Sequence, residues 1–410
     1  MRLYVTALPP TDAVTHGLLP AAARLGLETV LLTDRVEAHR EAYRGLDCPP
    51  VVVEADVRDP GAVAARVRAL ASRFGRPAGL LSNSDHLQAV TALAAELLGL
   101  PAKPWAAAVR CKNKALARSV LAEAGLDVVR CGQLDPALPL SELASLAVPF
   151  PAVVKPREGV ASEDALLVTD LADLAARVAE IRTRRPEATL VVEEYLAGDV
   201  RTYDTLGDGK SLYHFGSWRT SLGAPPHFAE TRMEWAPRLP PAVEAHLRAQ
   251  LAALGVGLGA CHTEFVVDGD RARIIEVNYR LIGDTMDLIC AELLGIDLFA
   301  QVIRLHLGES LPAGLPDPVG LARHARVDYV TADRAGVLVA APPAGEFTVD
   351  GVRLGHRRMR DVGVAADWHG TNRDYLSAVH AIGPDRSTVD KTVEEFLAGQ
   401  RWVIEPVVAA

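Results

Sequence analysis

Between residues 261 and 280 the chain reads as two runs of alternating side chains, CHTEFVV and RIIEVNYR, around the turn residues DGD. Two extended runs joined so tightly pair as an antiparallel hairpin. Successive side chains on a strand point to opposite faces. Glu276, Asn278 and Arg280 then share one face, and Val277 and Tyr279 share the other. A turn near Asp268 to Asp270 sets Glu264 roughly opposite Glu276, within one or two residues depending on turn length. Directly opposed side chains have Cβ atoms about 4.5–5.5 Å apart. Two carboxylates that close repel unless a proton or a cation sits between them. A polar face of this kind is either solvated or it holds something.

Glu264, Glu276 and the Asn278 amide offer hard oxygen ligands, as magnesium prefers. Arg280 cannot ligate a metal. Its fork suits an anion that the metal also touches, such as a phosphate. The bland alternative is a solvated face with an Arg–Glu pair, and so short a triplet often occurs without function. Other segments bear on the choice. Lysine is rare, six against 37 arginines, at positions 103, 112, 114, 155, 210 and 391. Codon bias alone would explain the ratio, yet a compact ammonium and a planar fork are different tools. Lys155 ends the apolar run AVVK and opens the loop PREGVASED. A lysine leading into a loop with Gly159 and Ser162 can grip phosphate oxygens that backbone N–H groups cover. Lys114 lies on the preceding helix and could add a phosphate contact; a solvated helix face is its plain alternative. VVEEYL offers Glu193, Glu194 and backbone groups that could read an adenine edge, or an ordinary edge strand with surface acids. DGKS at 208–211 imitates the end of a phosphate-binding P-loop, but Asp204 stands where that motif needs glycine, and the segment reads as a hairpin turn.

The order of elements sets a frame. Residues 1–105 alternate strand and helix, which predicts a parallel α/β sheet with flanking helices. No GxGxxG follows the first strand, so nothing marks a dinucleotide site. GLPAKP at 99–104 reads as a boundary. RCKNKALARSVLAEAGLDVV has helical spacing, with Gly125 as its end. Then come a strand, the loop after Lys155 and a second strand, a helix over 171–188, the strand TLVVEEYLAG, a hairpin around Gly207-Asp208-Gly209, a helix near 241–254 and the hairpin of the opening paragraph. From about residue 300 onward, helix and strand mix without obvious chemistry. A net charge of −9 argues against a nucleic-acid partner held by a broad basic surface. No apolar run is long enough to span a membrane. MRLYVTALPP lacks the apolar region of a signal peptide. Five scattered cysteines without CxxC spacing point to reduced thiols in a cytoplasmic protein and away from structural zinc.

The segments NKALARSVLAEAGL, FPAVVKPREGVASED, LVVEEYLAG, HTEFVVDGD and IIEVNYRLIGD, in that order, resemble the ATP-grasp superfamily, and within it the carboxylate–amine ligases that join amino acids or small acids. The resemblance implies an α/β chain, α+β in its nucleotide-binding part. It would have an N-terminal parallel α/β domain at 1–105, an ATP-grasp lid subdomain at 106–190, a large subdomain with the metal site at 191–300, and a C-terminal portion at 301–410 that completes the large domain. It implies ATP and magnesium as cofactors, with manganese able to replace the magnesium, and small-molecule carboxylate and amine substrates. By the same resemblance Lys114, Lys155 and Ser162 meet phosphates, and Glu193, Glu194 and Leu196 meet the adenine. Glu264, Glu276 and Asn278 hold the metal, and Arg280 steadies the transferred phosphoryl group and the acyl-phosphate. Arg219, His227, Glu230 and His262 lie in segments that border the substrate pocket. The position that often binds the ribose is Val200 here, with Asp199 one place early, and the usual NPR is NYR. The implied reaction is amide formation through an acyl-phosphate, as in peptide or siderophore assembly. A carboxylase, a small-molecule kinase and a nucleotide-binding protein without turnover are the alternatives; no MKM-like biotin segment supports the first. Homodimers are common in the family.

Overall fold

The computed structural model of the protein describes residues 1–407. Its first unit is a parallel sheet of β1 (Arg2–Thr6), β2 (Glu28–Thr33), β3 (Val51–Glu54) and β4 (Pro77–Ser82), in the order β3-β2-β1-β4. The central strands show no polar alternation: Leu3, Tyr4, Val5, Val30, Leu31 and Leu32 are all buried. Apolar side chains on both faces demand cover on both, and the connecting helices supply it. One of them, Pro60–Phe74, starts on the Asp59 carboxylate, which accepts the Ala62 N–H.

The second unit is an antiparallel sheet of β5 (Cys131–Leu134), β6 (Ala152–Pro156), β7 (Leu166–Val168) and β8 (Leu190–Glu194), in the order β5-β8-β6-β7. The helix Leu171–Arg184 covers one face with Leu174, Val178 and Ile181. β8 sits inside this sheet, paired with both β5 and β6. A division after residue 190 therefore cuts one strand from its own sheet. Leu190, Val191 and Val192 are buried, and neighbours on both sides satisfy their backbone.

The third unit is a ten-stranded antiparallel sheet. It contains β9 (Val200–Asp208), β10 (Leu212–Gly216), β11 (Trp218–Leu222), β12 (Glu230–Trp235), β13 (Leu258–Asp268), β14 (Arg271–Asn278) and β15 (His324–Thr331). After β16 (Gly336–Ala340), it takes in β17 (Gly345–Val349) and β18 (Val352–Arg358) and, after β19 (Ala365–Ala366), β20 (Tyr375–Gly383). The order is β14-β13-β9-β11-β12-β15-β20-β18-β17, with β10 on β9. β16 and β19 form a separate small sheet with β21 (Val403–Glu405). No helix of the described residues is long and apolar enough to cross a membrane.

One helical segment differs from its reading. The run after residue 104 is two helices, Trp105–Lys112 and Lys114–Glu123, broken at Asn113. Asn113 has an extended backbone, and its side chain accepts the Leu116 N–H. An asparagine offering its own cap competes with helix continuation. The break makes Lys114 the first residue of a new helix. Both helices share the core of the large sheet, Ala107, Cys111 and Leu121 packing with Leu247, Phe265 and Tyr279, and the second also reaches the small sheet through Arg118 and Glu193.

Candidate active site

A cavity of about 880 Å³ lies where the three units meet. The hairpin β13–β14 forms its floor and the loop after β6 its roof. Loops at the carboxyl ends of β1 and β4 close one side, the place where parallel sheets expose ligand-facing residues. Every residue singled out from the sequence lines this cavity except His227.

On the floor, Glu264 pairs directly opposite Glu276, and His262 opposite Asn278. Glu276 receives the Lys114 ammonium at 2.8 Å on one oxygen and the Asn278 amide N–H at 2.8 Å on the other. Burial pushes the Glu276 carboxyl up, but Lys114 and Asn278 outweigh it and hold the group well below the usual carboxylate range. The Asn278 amide uses its N–H on Glu276, which leaves its oxygen as an acceptor that can ligate a cation. His262 Nδ1 lies 2.6 Å from Asp204, and its Nε2 lies 3.5 Å from Glu264. Burial pulls this imidazole down; Asp204 and Glu264 more than offset that and push it up to about 10. Two carboxylates and an amide oxygen on adjacent strands form an all-oxygen donor set, which fits magnesium.

On the roof side, Lys155 reaches Glu193 at 2.7 Å. Arg118 grips the same carboxylate through two N–H donors, at 2.8 and 3.0 Å. Burial raises the Glu193 carboxyl, but Arg118 and Lys155 hold it far below its ordinary value. Its oxygens are thus occupied, and Glu193 fixes the position of Lys155. Glu194 is engaged as well, accepting the Arg130 N–H at 3.1 Å and Arg273 at 2.9 Å. Leu196, just beyond these acids, also lines the cavity. In the loop over the cavity, Ala161, Ser162 and Asp164 have φ of 55°, 55° and 54°. Non-glycine residues in that region are strained, and such strain needs support from outside the loop.

Arg280 lies just beyond its strand. β14 ends at Asn278, and Arg280 N–H bends back to the Asn278 carbonyl at 2.7 Å. Val277 and Tyr279 are buried on the far side as the alternation requires. The guanidinium Nη1 donates to the Leu281 and Ile282 carbonyls at 2.7 and 2.6 Å, which fixes the fork in one plane. Its Nε is 3.8 Å from Asp85. Asp85 also holds the Lys112 ammonium. Burial raises the Asp85 carboxyl, and Arg280 with Lys112 overcomes that and lowers it. Asp85 was not singled out from the sequence, although its place after β4 is a signal in itself. Arg118, one helical turn past Lys114, was missed too. Lys103 is buried at the junction of the units, donating to Gln88 at 2.7 Å and to the Tyr279 carbonyl. Burial pulls its ammonium down to about 7. Lys114 and Lys155 thus line this cavity, and Lys112 borders it through Asp85 and the Gly159 carbonyl.

At the substrate end, burial together with Glu264 and Asp284 pushes the Glu230 carboxyl up to about 8. Arg219 is half-exposed and pairs with Asp199 at 3.2 Å; Asp199 and Val200 both reach the cavity. His227 lies outside it. The chain before it pairs with β7, Leu167 N–H donating to Pro226 at 2.8 Å, and the His227 ring packs edge-on against Trp368 with centroids 5.2 Å apart. Away from the cavity, Glu234, His324 and Asp390 cluster, but Arg386 already engages both carboxylates.

Residues 19–102 match the ATP-grasp N-terminal domain family. The chain is 27% identical over 355 residues to the uncharacterized protein y4rH of Sinorhizobium fredii, covering 82% of this chain and 70% of that one. It is 28% identical over 281 residues to carnosine synthase 1 of Gallus gallus, across 60% of this chain but only 29% of that longer protein. The L-amino acid ligase of Bacillus licheniformis superposes with a TM-score of 0.78 at 19% identity, over 98% of both chains. Over residues 19–102 the chain thus carries an ATP-grasp N-terminal domain, and as a whole it resembles the carboxylate–amine ligases of that superfamily.

Proposed function

We propose that the protein is an ATP-dependent ligase that joins a small-molecule carboxylate to an amine through an acyl-phosphate and releases ADP and phosphate. The observation that carries this reading is the convergence of Lys114, Lys155, Arg280 and the Glu264–Glu276–Asn278 oxygens on one cavity. A carboxylate is a poor acyl donor because an oxide would have to leave. Phosphorylation makes the leaving group a phosphate, and the amine displaces it. Such chemistry needs charge neutralisation and positioning rather than a protein nucleophile.

In this reading Lys155, set by Glu193, and Lys114, set by Glu276, hold nucleotide phosphates, with Ser162 covering them. Glu264, Glu276 and Asn278 would hold magnesium, or manganese in its place, which supplies positive charge at the phosphates when bound. Arg280 holds the phosphoryl group in flight, its plane fixed by the two carbonyls. Glu230 and the acidic end of the cavity receive the amine, and His262 keeps Glu264 in place. Arg219 can hold a substrate carboxylate if it leaves Asp199. Peptide-type amides, of the kind used in peptide or siderophore assembly, are the proposed products. Five free cysteines support a reducing, cytoplasmic setting, and a homodimer is the assembly we propose from the family.

A screen of acid–amine pairs for ADP and phosphate release, with mass spectrometry of products, tests the proposal. Release that needs both partners and yields their amide is the expected result. Release with the acid alone, leaving a stable phosphorylated product, would make the protein a kinase instead.

A further inference from the structure

We propose that the turn Thr371–Asp374 is a latch that holds the phosphate loop, residues 156–165, shut from the substrate side. Arg373 grips the loop, and Asn372 joins that grip to Glu230. The inference rests on the ligase reading of the cavity.

The turn lies some two hundred residues from the loop in sequence yet touches it twice. The Asn372 N–H donates to the Ala161 carbonyl at 3.4 Å, and the Arg373 guanidinium pairs with the Glu163 carboxylate. The Asn372 side chain faces the opposite way. It accepts the Glu230 N–H at 3.0 Å and donates to the Glu230 carboxylate at 3.3 Å. One residue thus bridges the roof of the cavity and a carboxylate at its substrate end. The turn is itself rigid. Asp374 is buried and accepts the N–H groups of His369 and Thr371 at 3.1 and 2.9 Å. Gly370 has φ of +70°, and a Cβ there would stand 2.4 Å from the His227 ring. Only glycine fits that approach. His227, outside the cavity, is therefore part of the seat on which the turn rests. The loop, by contrast, carries three strained residues and needs partners to stay closed.

A closed roof matters because an acyl-phosphate reacts with water as well as with an amine. Water adding to the acyl carbon expels phosphate and returns the carboxylate, so ATP is consumed without amide. A latch tied to Glu230 keeps the loop down while the amine side is ordered. Arg373 and Asn372 are positioning residues in this scheme.

The test is hydrogen exchange of residues 156–165 with and without the magnesium complex of a non-hydrolysable ATP analogue, in the parent, Arg373→Glu, Arg373→Lys and Asn372→Ala. The Arg373 side chain is 62% exposed, so its variants should fold. Nucleotide should protect the loop in the parent and in Arg373→Lys. Arg373→Glu, which sets like charge against Glu163, should lose that protection by about 5–10-fold, the worth of one or two hydrogen bonds. Asn372→Ala should lose less. With an active acid–amine pair, both should raise the ratio of ADP to amide. Loop protection and ADP-to-amide ratio equal to the parent's in Arg373→Glu and Asn372→Ala would overturn the latch and leave the ligase reading standing. A parent loop that ignores the nucleotide would overturn the nucleotide site and the latch with it.

Discussion

β8 and β14 bring carboxylates to the same cavity in similar dress, VVEE on one and IIEVN on the other. Their surroundings differ. Glu193 on β8 is closed off by three charge-assisted hydrogen bonds from Arg118 and Lys155. Glu276 on β14 has one ammonium and one amide, and Glu264 opposite it has only a 3.5 Å approach from His262. A saturated carboxylate orders its neighbours, and an unsaturated one can still take a ligand. The small sheet thus uses its acid to hold a lysine, and the acids of the large sheet face the cavity with fewer partners.

The contrast breaks first at Glu276. Glu276→Gln should reduce turnover by about 10³-fold or more, because a neutral amide holds magnesium poorly and several kcal/mol of charge stabilisation goes with it. The fold should persist. Near-parent turnover of Glu276→Gln at saturating magnesium would put β14 in the same class as β8.

Arg280 sharpens the comparison from the ligand's side. Arg280→Lys keeps the charge but loses the planar fork, so turnover should fall about 10²–10³-fold, as on loss of one preorganised donor. ATP affinity should change far less, because the contact strengthens in the transition state. Steady-state kinetics with direct ATP binding decides it. A few-fold loss would leave Arg280 as a structural partner of the buried Asp85 carboxylate and of the Leu281 and Ile282 carbonyls.

The smallest effect on chemistry, and the largest on stability, should come from Glu193→Gln. It leaves Arg118 and Lys155 buried without a full counter-charge, at a cost of about 3 kcal/mol. Turnover should drop only about tenfold through a displaced Lys155, the range seen when an outer partner is removed. The sign of the pH effect follows from its lowered carboxyl. Folding favours the ionised form, so the stabilisation is complete above the ordinary value of 4.5 and is lost as pH falls through the folded value. Denaturation curves of the parent should therefore weaken below about pH 4.5, and Glu193→Gln should weaken less steeply. Parallel acid profiles would mean that Glu193 is not a stabilising anion.

Much of the layout was legible. The parallel first sheet follows from apolar runs without alternation, and the β13–β14 pairing follows from DGD between two alternating runs, but the one-residue shift between Glu264 and Phe265 that sets Glu264 opposite Glu276 does not. Glu276 and Asn278 could be grouped on one face because strand periodicity fixes which face a side chain takes, and both line the cavity. Where side chains leave regular structure, the reading weakened. His227 sits in a loop with no period to orient it, and the helix after residue 104 broke at Asn113 because a single cap outweighed a helical pattern.

The sequence by itself determined the strands, their faces and the residue types available for phosphate and metal, since these rest on backbone periodicity and side-chain chemistry, which are local. Only the tertiary structure decided which of those groups are already engaged. Glu193 meets Arg118 across 75 residues, Lys112 meets Asp85 across 27, and Asn372 meets Glu230 across 142. Charge pairing acts over a few ångströms of space with no regard for distance along the chain, so no local pattern records it.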